Sequence, residues 1–507
     1  MQGTFWALLP PLAAIVLALI TKEVYVSLFI GILTGALFYS GFDILKTIDT
    51  TFFAMTESVY GKGTNIRIII FLVLLGTIVS LVNKSGGSMA FGHWAGNKIK
   101  TERSAKLSTL AFALMLFIDD YFICLTTGNV MRPITDRNRV SRAKLAYIVD
   151  STAVPICILA PLSSWAAAVA SSLSESGATD GFQFFIKTIP YNLYAILTIL
   201  MVFTTSMFNI DFSSMLKHEN NAQNGDLFTS KGEDNFEEEP IINSKGKVID
   251  LIIPIITLIG GCIFGLLYTG GILSGASVFE AFSHCESSRG LLIGAFIALI
   301  VTFILYIPRK VISFKEFIAS LPSGFKEMSS AIIVLSMAWT LGNITEKYMK
   351  AGEFISSLIG NNTSSIIFIP VIMFVLSVVL SFSTGTSWGT FAMLIPISFP
   401  LFAVNNELLV ITIAAVLAGS TCGDHVSPIS DTMIMSSAGT KCNLINHVTT
   451  QFPYALLVAS ISAVGYVIAG FVKNPIIVLL CAVTLLLIIL FSIKYRQKTA
   501  TQKSRVE

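Results

Sequence analysis

The sequence has too little charge to cover the surface of a soluble protein of its length. Only 12% of its 507 residues are Asp, Glu, Lys or Arg, against about 25% in a typical soluble domain, and 54% are hydrophobic. The net charge of +3 is too small to indicate nucleic-acid binding. We therefore expect a lipid bilayer to surround most of the chain, with no nucleic acid as a partner.

Patterns of several enzymes and metal sites are also missing. The seven cysteines show no CxxC or Cys/His ligand spacing, so we interpret them as reduced, small apolar residues. The chain has no HExxH motif, which argues against a membrane-embedded hydrolase with Asp424 and His425 as an acid/base pair. Residues 1–23 lack a basic leader and an A-x-A cleavage site, so we expect a first transmembrane helix there. The prediction is a protein that is not an enzyme and has no cofactor.

Apolar segments recur along the chain, and a bilayer crossing needs about 20 such residues. Nine segments fit a simple crossing: 5–21, 24–40, 66–83, 188–207, 248–269, 290–307, 329–345, 452–472 and 475–493. Four more are irregular, because they contain Asp, Ser, Thr, Gly or Pro where a simple crossing would not: 107–130, 142–172, 364–404 and 407–438.

The distribution of lysine and arginine orients these segments, because basic loops stay in the cytoplasm. Segment 107–130 has basic residues at both ends, so we predict a re-entrant hairpin that opens to the cytoplasm. The flanks of 364–404, NNTSS and NNELL, carry no basic residue, which predicts an external hairpin. The result is eleven crossings and two hairpins, with the N-terminus outside and the C-terminus in the cytoplasm.

The two halves of the chain resemble each other weakly. A shift of 263 residues places Thr77 on Thr340, Lys84 on Lys347 and Pro133 on Pro396. Each proposed repeat has five crossings and one hairpin, and an odd number of crossings inverts the second copy. The predicted fold is an all-α polytopic membrane protein with an inverted repeat. We divide it into a first membrane repeat at 1–207, an acidic cytoplasmic connector at 208–247, a second repeat at 248–472, and an extra C-terminal helix with a basic tail at 473–507.

Proline and glycine predict that the segments 142–172 and 407–438 are broken helices. Pro155 and Pro161 each remove an N–H, so we expect the first break at about 152–155. Inverted repeats with interrupted segments are typical of secondary transporters, whose sites lie near the midplane of the membrane. The polar residues expected at or next to the two breaks are Asp150, Ser151, Thr152, Ser420, Thr421, Asp424, His425 and Asp431.

Aspartates are the most informative of these residues, because an ionised Asp at the bilayer centre costs ~2.5–3.5 kcal/mol. Asp119 and Asp120 lie at the predicted tip of the first hairpin, whereas the tip of the second, SFSTGTSWGT, is hydroxyl-rich and uncharged. Oxygen ligands suit a hard cation such as Na+. A buried carboxylate can hold either a proton or a cation, which permits exchange, and Asp424 is our main candidate for that role.

Each of these polar residues also has a purely structural interpretation. Either Asp119 or Asp120 can cap a half-helix of the hairpin. Asp150 can pair with Lys144 or Arg142 at the start of its own helix. Asp431 can cap the following helix or pair with Lys441, and His425 can bind nothing more than a backbone carbonyl.

Three stretches carry a family resemblance: FIDDYF, TTGNVMRPITDRNRVSRAKLAYIVDSTAVPICILAPLSSWAA and AGSTCGDHVSPISDTMIMSSAGTKCNLINHVTTQFPYA. They closely resemble the NhaC-type Na+/H+ antiporters of bacteria, within a superfamily of transporters with paired hairpins and broken helices. The resemblance implies a multi-pass protein of the bacterial inner membrane that exchanges Na+ for H+. It implicates these residues in ion or substrate binding: Asp119, Asp120, Ser151, Thr152, Ser383, Thr384, Thr386, Ser420 and Thr421. Our predicted cation ligands are Asp120, Thr421 and Asp424.

The resemblance fixes the substrate less well than the fold. NhaC-like proteins also include exchangers of organic acids, and an Na+- or H+-coupled carrier of a small organic acid or amino acid remains the alternative. We find no arginine within a broken segment that would clamp a carboxylate, which favours plain cation exchange. A channel is disfavoured, because inverted repeats with carboxylates at their breaks suit alternating access. A homodimer is one assembly that the sequence allows.

Overall fold

The computed structural model describes residues 1–503 apart from 22, 61–62, 97, 230–245, 284, 352–353, 355–365 and 403–405. In these residues the chain forms helices joined by short turns, with no β-strand. The helices are Leu9–Thr21, Val24–Tyr39, Ile44–Tyr60, Thr64–Ser85, Gly87–Gly96, Glu102–Met115, Asp120–Arg137, Arg142–Leu159, Ser164–Glu175, Gly181–Thr188, Leu193–Phe208, Ser213–Gln223, Ile249–Thr269, Val278–Ser283, Ser287–Tyr306, Phe314–Asn343, Ile369–Thr384, Ser387–Ser398, Glu407–Asp424, Asp431–Thr440, Leu444–Val472 and Pro475–Lys503.

Many of these helices are suited to a bilayer, which makes the chain a multi-pass membrane protein. Within the described residues, seven helices are long and apolar enough to cross a membrane, or eight segments if one bent pair is taken as a single span. Shorter apolar helices lie at three more of the predicted crossings: Phe5–Leu17, Val24–Tyr39 and Ile332–Asn343. The total of eleven crossings stays a prediction.

Four helix pairs position the candidate site. The first hairpin consists of Glu102–Met115 and Asp120–Arg137, and the second of Ile369–Thr384 and Ser387–Ser398. The first broken span consists of Arg142–Leu159 and Ser164–Glu175, bent by 47°, and the second of Glu407–Asp424 and Asp431–Thr440. Two features predicted from the sequence lie outside the described residues. They are the NNTSS flank of the second hairpin and most of the acidic connector, residues 230–245.

The predicted position of the break in the first broken span is wrong. The helix continues through Pro155 to Leu159, and the break falls at 160–163, where the Ser163 hydroxyl accepts from the N–H of Ala166 and caps the next half-helix. Proline in a helix removes one hydrogen bond, here that of the Ser151 carbonyl, and close packing around the helix tolerates this loss. Asp150, Ser151 and Thr152 therefore lie in regular helix.

The hairpins pack on the broken spans both within one half of the chain and between the halves. The second half-helix of the first hairpin packs against the second half of the second broken span, and a Cβ on Gly128 would lie 2.7 Å from the Gly439 carbonyl carbon. The second half-helix of the second hairpin packs against the second half of the first broken span, where the rings of Trp165 and Trp388 lie 5.8 Å apart. The four tips and breaks are thus gathered into one region.

Buried ion pairs hold one end of this assembly. The Nζ atom of Lys144 lies 2.7 Å from Asp211 Oδ1, and that of Lys106 lies 2.5 Å from Glu219 Oε2. Both lysines are fully buried, so the pairs tie Asp211 to the first broken span and the helix Ser213–Gln223 to the first hairpin. Lys144 is therefore committed to Asp211.

Candidate functional site

The tip of the first hairpin presents two buried aspartates with different roles. Asp119 is the N-cap of the half-helix, since its Oδ1 atom accepts from the N–H of Phe122 at 3.0 Å. This is the structural interpretation of Asp119, and it fixes the tip. Asp120 is only 1% exposed, and its Oδ1 atom has no hydrogen-bond partner among the described residues. Its carboxylate is therefore available to a ligand.

The tip is attached to the first break. The N–H of Ser164 donates to the carbonyl of Ile118 at 2.8 Å, so the break and the tip share a backbone hydrogen bond. Trp165, the next residue, is buried beside Asp120, and its indole N–H has no hydrogen-bond partner in the described structure. Irregular backbone inside a membrane survives where protein or a wet cavity satisfies it, and this junction fits that rule.

The second break spans residues 425–430 between its two half-helices, and a carboxylate flanks it on each side. Asp424 is the last residue of the first half-helix, is 3% exposed, and accepts from the hydroxyl of Thr432 at 3.3 Å. Asp431 begins the next half-helix, after the N-cap Ser430. It is exposed and accepts from the hydroxyl of Tyr121 at 3.4 Å, a long and therefore weak contact.

The first hairpin and the second break thus converge. The hydrogen bond from Tyr121 to Asp431 joins them directly, and Asp424 lies within electrostatic reach of Asp120. We call Asp120, Asp424 and Asp431 the carboxylate cluster. Asp120 comes from one half of the chain, and Asp424 and Asp431 come from the other, more than 300 residues away in sequence. The buried charges of Asp120 and Asp424 demand a compensating cation or proton.

The hydroxyls predicted at the second hairpin do not point to this cluster. Those of Ser383 and Thr384 donate to carbonyls of their own helix, Val379 and Leu380, at 2.8 and 2.9 Å. Thr386 caps the second half-helix, and its hydroxyl accepts from Gly389 N–H at 3.3 Å. These residues shape the tip, and their binding role stays a prediction.

Ser420 and Thr421 lie in the last turns of an unbroken helix, and not inside the break as the glycines predict. Both hydroxyls donate to the carbonyl of Leu417. The carbonyl of Ser420 accepts the hydroxyls of Ser381 and Ser387 at 2.6 and 3.0 Å, so the second hairpin is fastened to this helix next to Asp424. Glycines fail to break the helix because this hairpin packs directly on them: a Cβ on Gly419 would lie 2.4 Å from the Phe374 carbonyl oxygen.

Asp150 belongs to a different polar network from the carboxylate cluster. Its Oδ1 atom accepts from the Ser436 hydroxyl at 3.3 Å, and its Oδ2 atom accepts from Gln451 Nε2 at 2.5 Å. The interpretation that Asp150 pairs with Lys144 or Arg142 is wrong, because Lys144 pairs with Asp211 and Arg142 pairs with Asp136. Thr152 only back-bonds to Ile148 in the same helix.

His425 is fully buried at the second break. Its Nδ1 atom lies 3.2 Å from the Tyr194 hydroxyl, and its Nε2 atom has no partner among the described residues. Its carbonyl accepts from Gln451 Nε2 at 2.9 Å. The ring therefore contacts a tyrosine hydroxyl, and not the backbone carbonyl that its structural interpretation requires, and it lies within electrostatic reach of Asp150.

Several residues of the site escaped the sequence analysis. Tyr121 sits beside the predicted Asp120, and Thr432 beside Asp431. Ser436 and Gln451 lie outside the predicted breaks, although a run of polar residues, NHVTTQ, precedes the apolar segment 452–472 and is a signal that could have found Gln451.

The oxygen atoms of this site are the kind of ligand that small cations prefer. Among the residues that the structure describes, no group of three or more His, Cys, Asp or Glu side chains is placed to hold a metal ion. A monovalent cation needs fewer charges, and carboxylate, hydroxyl and carbonyl oxygens are its preferred ligands, by extension of the rule for Ca2+ and Mg2+.

Buried carboxylates between hairpins and broken helices, in a multi-pass helical protein, define the class of secondary transporters. The chain belongs to the Na+/H+ antiporter family, which it matches over residues 156–471. It is 40% identical to an uncharacterized protein of Haemophilus influenzae, over 98% of this chain and 96% of that one.

Two more distant matches give context. The chain is 24% identical to the malate-2H+/Na+-lactate antiporter of Bacillus subtilis, over 36% of this chain and 42% of that protein. The solved YdaH transporter of Alcanivorax borkumensis matches with a TM-score of 0.55 at 12% identity, over 85% of this chain and 90% of that one. The second match is a likeness of fold alone.

Proposed function

We propose that this protein exchanges Na+ for H+ across the bacterial inner membrane by alternating access. The observation that carries the proposal is that Asp120 and Asp424, two buried carboxylates from opposite halves of the chain, lie within electrostatic reach of each other. Membership of the Na+/H+ antiporter family supports the choice of ions. No cofactor is part of this proposal, since Na+ and H+ are the transported species.

The mechanism follows from charge balance. Two carboxylates close together in a dry site cannot both stay ionised without compensation, so the cluster holds either a proton or a cation. Na+ arriving at the cluster displaces the proton, and a proton arriving from the other side displaces Na+. Asp120, with its free Oδ1 atom, and Asp424, with the Thr432 hydroxyl beside it, are the proposed ligands, together with Thr421.

The architecture proposed for this exchange is the inverted repeat with eleven crossings, the N-terminus outside and the C-terminus in the cytoplasm. The packing between the halves supports it, because each hairpin packs on the broken span of the other half as well as on that of its own half. Caps occur at matching places too: Asp119 and Thr386 cap the hairpin half-helices, and Ser163 and Ser430 cap the half-helices after the breaks. One shift of 267 residues relates both pairs of caps.

A second candidate function is the coupled exchange of a small organic acid. A partial relative is named as a malate-2H+/Na+-lactate antiporter, which favours this second function. Arg142, the basic residue at the start of the first broken span, does not act as a free clamp for a carboxylate, because it binds both oxygens of Asp136 at 2.7 Å. An organic anion would therefore need hydroxyl and N–H donors.

The test uses the full chain in proteoliposomes with an imposed pH gradient. Na+/H+ exchange predicts 22Na+ uptake driven by the gradient, unchanged when malate or lactate is absent. Uptake that requires either acid would establish the second candidate function. Large Na+ currents without a pH gradient would identify a channel and contradict both.

A further inference from the structure

The Asp150 carboxylate is buried deeper than the carboxylate cluster and faces different partners. Its exposure is 0%, and both of its oxygens have a hydrogen-bond donor, Ser436 and Gln451. Cys124 of the first hairpin also lies close, since Asp150 and Ser436 both act on its thiol. Four separate elements therefore enclose this one charge: the first hairpin, both broken spans and the helix Leu444–Val472.

The orientation of the Gln451 side chain is fixed by its surroundings. Its Nε2 atom lies 2.9 Å from the carbonyl of His425, which can only accept, so the atom facing it must be the donor nitrogen. The same nitrogen lies 2.5 Å from Asp150, so Gln451 donates to the carboxylate. Its Oε1 atom is used by His447 Nε2 at 3.1 Å. Gln451 holds Asp150 in the geometry of an acceptor, as an ionised carboxylate requires.

Basic side chains within electrostatic reach of this carboxylate include the imidazoles of His425 and His447, but neither forms an ion pair with it in the described structure. In the described chain no lysine or arginine forms an ion pair with Asp150, and the two cations of its own helix, Lys144 and Arg142, are taken by Asp211 and Asp136. Two neutral donors compensate a buried charge only in part, and an ionised Asp inside a membrane costs ~2.5–3.5 kcal/mol. A small cation beside Asp150 would remove this cost.

Oxygen ligands for such a cation are at hand. Ser436 offers a hydroxyl at the Oδ1 atom. Gln451 Nε2 contacts both the Asp150 carboxylate and the carbonyl of His425, so this carbonyl lies at the same junction. Carboxylate, hydroxyl and carbonyl together form a set that a hard monovalent cation prefers.

We propose that Asp150, with Ser436 and Gln451, forms a second cation site that binds Na+ and is distinct from the carboxylate cluster. Gln451 is a positioning residue in this site. The inference rests on the proposed function in one respect, that Na+ is the transported ion. Asp150 lies within electrostatic reach of Asp424, so Na+ at one site weakens the repulsion that ionisation of the other must overcome.

The test is equilibrium binding of 22Na+ to the purified full chain, with Na+-dependent thermal stabilisation as a second readout. Asp150→Asn should bind one Na+ fewer per chain than the wild type at saturation. Ser436→Ala keeps the charge and removes one ligand, so we expect about tenfold weaker Na+ binding at this site. Asp49→Asn, the same change at an exposed position in the helix Ile44–Tyr60, should bind like the wild type.

Two results would overturn the inference. One is a wild-type stoichiometry and affinity in Asp150→Asn. If that variant does not fold, the other is an unchanged Na+ affinity in Ser436→Ala. Failure of the proposed function looks different. The wild type would still bind the Na+ that depends on Asp150, but a pH gradient would drive no Na+ flux in proteoliposomes.

Discussion

At the scale of single residues, burial separates the aspartates into different tasks. Asp119 caps a half-helix and stabilises the tip, whereas the neighbouring Asp120 keeps one oxygen free inside the protein. Sequence reasoning found both residues because two charges in an apolar stretch are conspicuous. It could not divide their tasks, since only the backbone at the tip decides which carboxylate reaches an N–H.

Gly385 offers a prediction at this scale. It turns the second hairpin with φ of +68°, and a Cβ there would lie 2.6 Å from the carbonyl oxygen of Ile429, at the second break. Gly385→Ala should therefore lower stability through backbone strain of about 1 kcal/mol and a clash of ~1–3 kcal/mol. The measurement is the thermal unfolding midpoint in detergent.

Gly41→Ala is the matched control for Gly385→Ala. Gly41 has φ of +66° and open space around it, so Gly41→Ala introduces the same backbone strain as Gly385→Ala but no clash. A larger loss at Gly385 isolates the contact between the hairpin tip and the break. Equal midpoints for the two variants would show that this contact contributes nothing.

At the scale of elements, the hairpins were predictable and one break was not. The polar tips FIDDYF and SFSTGTSWGT marked both helix interruptions, because charge and hydroxyls in lipid need a special backbone. Basic flanks predicted the re-entrant course of the first of them. Pro155 misplaced the first break, since a well-packed helix tolerates one missing hydrogen bond. Gln451 was missed because its importance comes from Asp150, 301 residues away, and such a contact exists only in the folded chain.

Cysteine accessibility tests the re-entrant course of the first hairpin. Lys100→Cys and Asn138→Cys flank it, and in a chain with Cys481, the exposed cysteine of the described structure, replaced by Ser, both should react with an impermeant reagent from the cytoplasmic face. The other six cysteines are buried and provide a low background. Labelling of the two positions from opposite faces would mean that this segment crosses the membrane.

At the scale of the whole molecule, two lysines at matching positions of the proposed repeats contact the opposite half. Lys84 Nζ donates to Ser320 Oγ at 3.1 Å, and Lys347 forms an ion pair with Glu57. The hydrogen bond from Lys347 lowers the pKa of Glu57, with help from Asn343 and Tyr348 and against the effect of burial. The pair is thus complete at neutral pH and is lost only as pH falls through this lowered pKa.

We predict that Lys347→Gln shifts the balance of inward and outward states modestly, because the pair is partly exposed. An exposed pair is worth ~0.2–1 kcal/mol, so the apparent Na+ affinity in flux assays should change by at most about fivefold. The charge swap Lys347→Glu with Glu57→Lys should restore it. Lys46→Gln removes a local pair with Asp43 within one surface segment and should have no effect. If Lys46→Gln changed the apparent Na+ affinity as much as Lys347→Gln does, the pair of Lys347 and Glu57 would have no special role.

The central claim is that the carboxylate cluster trades Na+ for a proton, and its most direct test is Asp424→Asn in proteoliposomes. We measure 22Na+ uptake driven by a pH gradient, with Asp49→Asn as the control at an exposed site. The prediction is that Asp424→Asn folds and loses uptake, while Asp49→Asn keeps the wild-type rate. Wild-type uptake by Asp424→Asn would contradict the account.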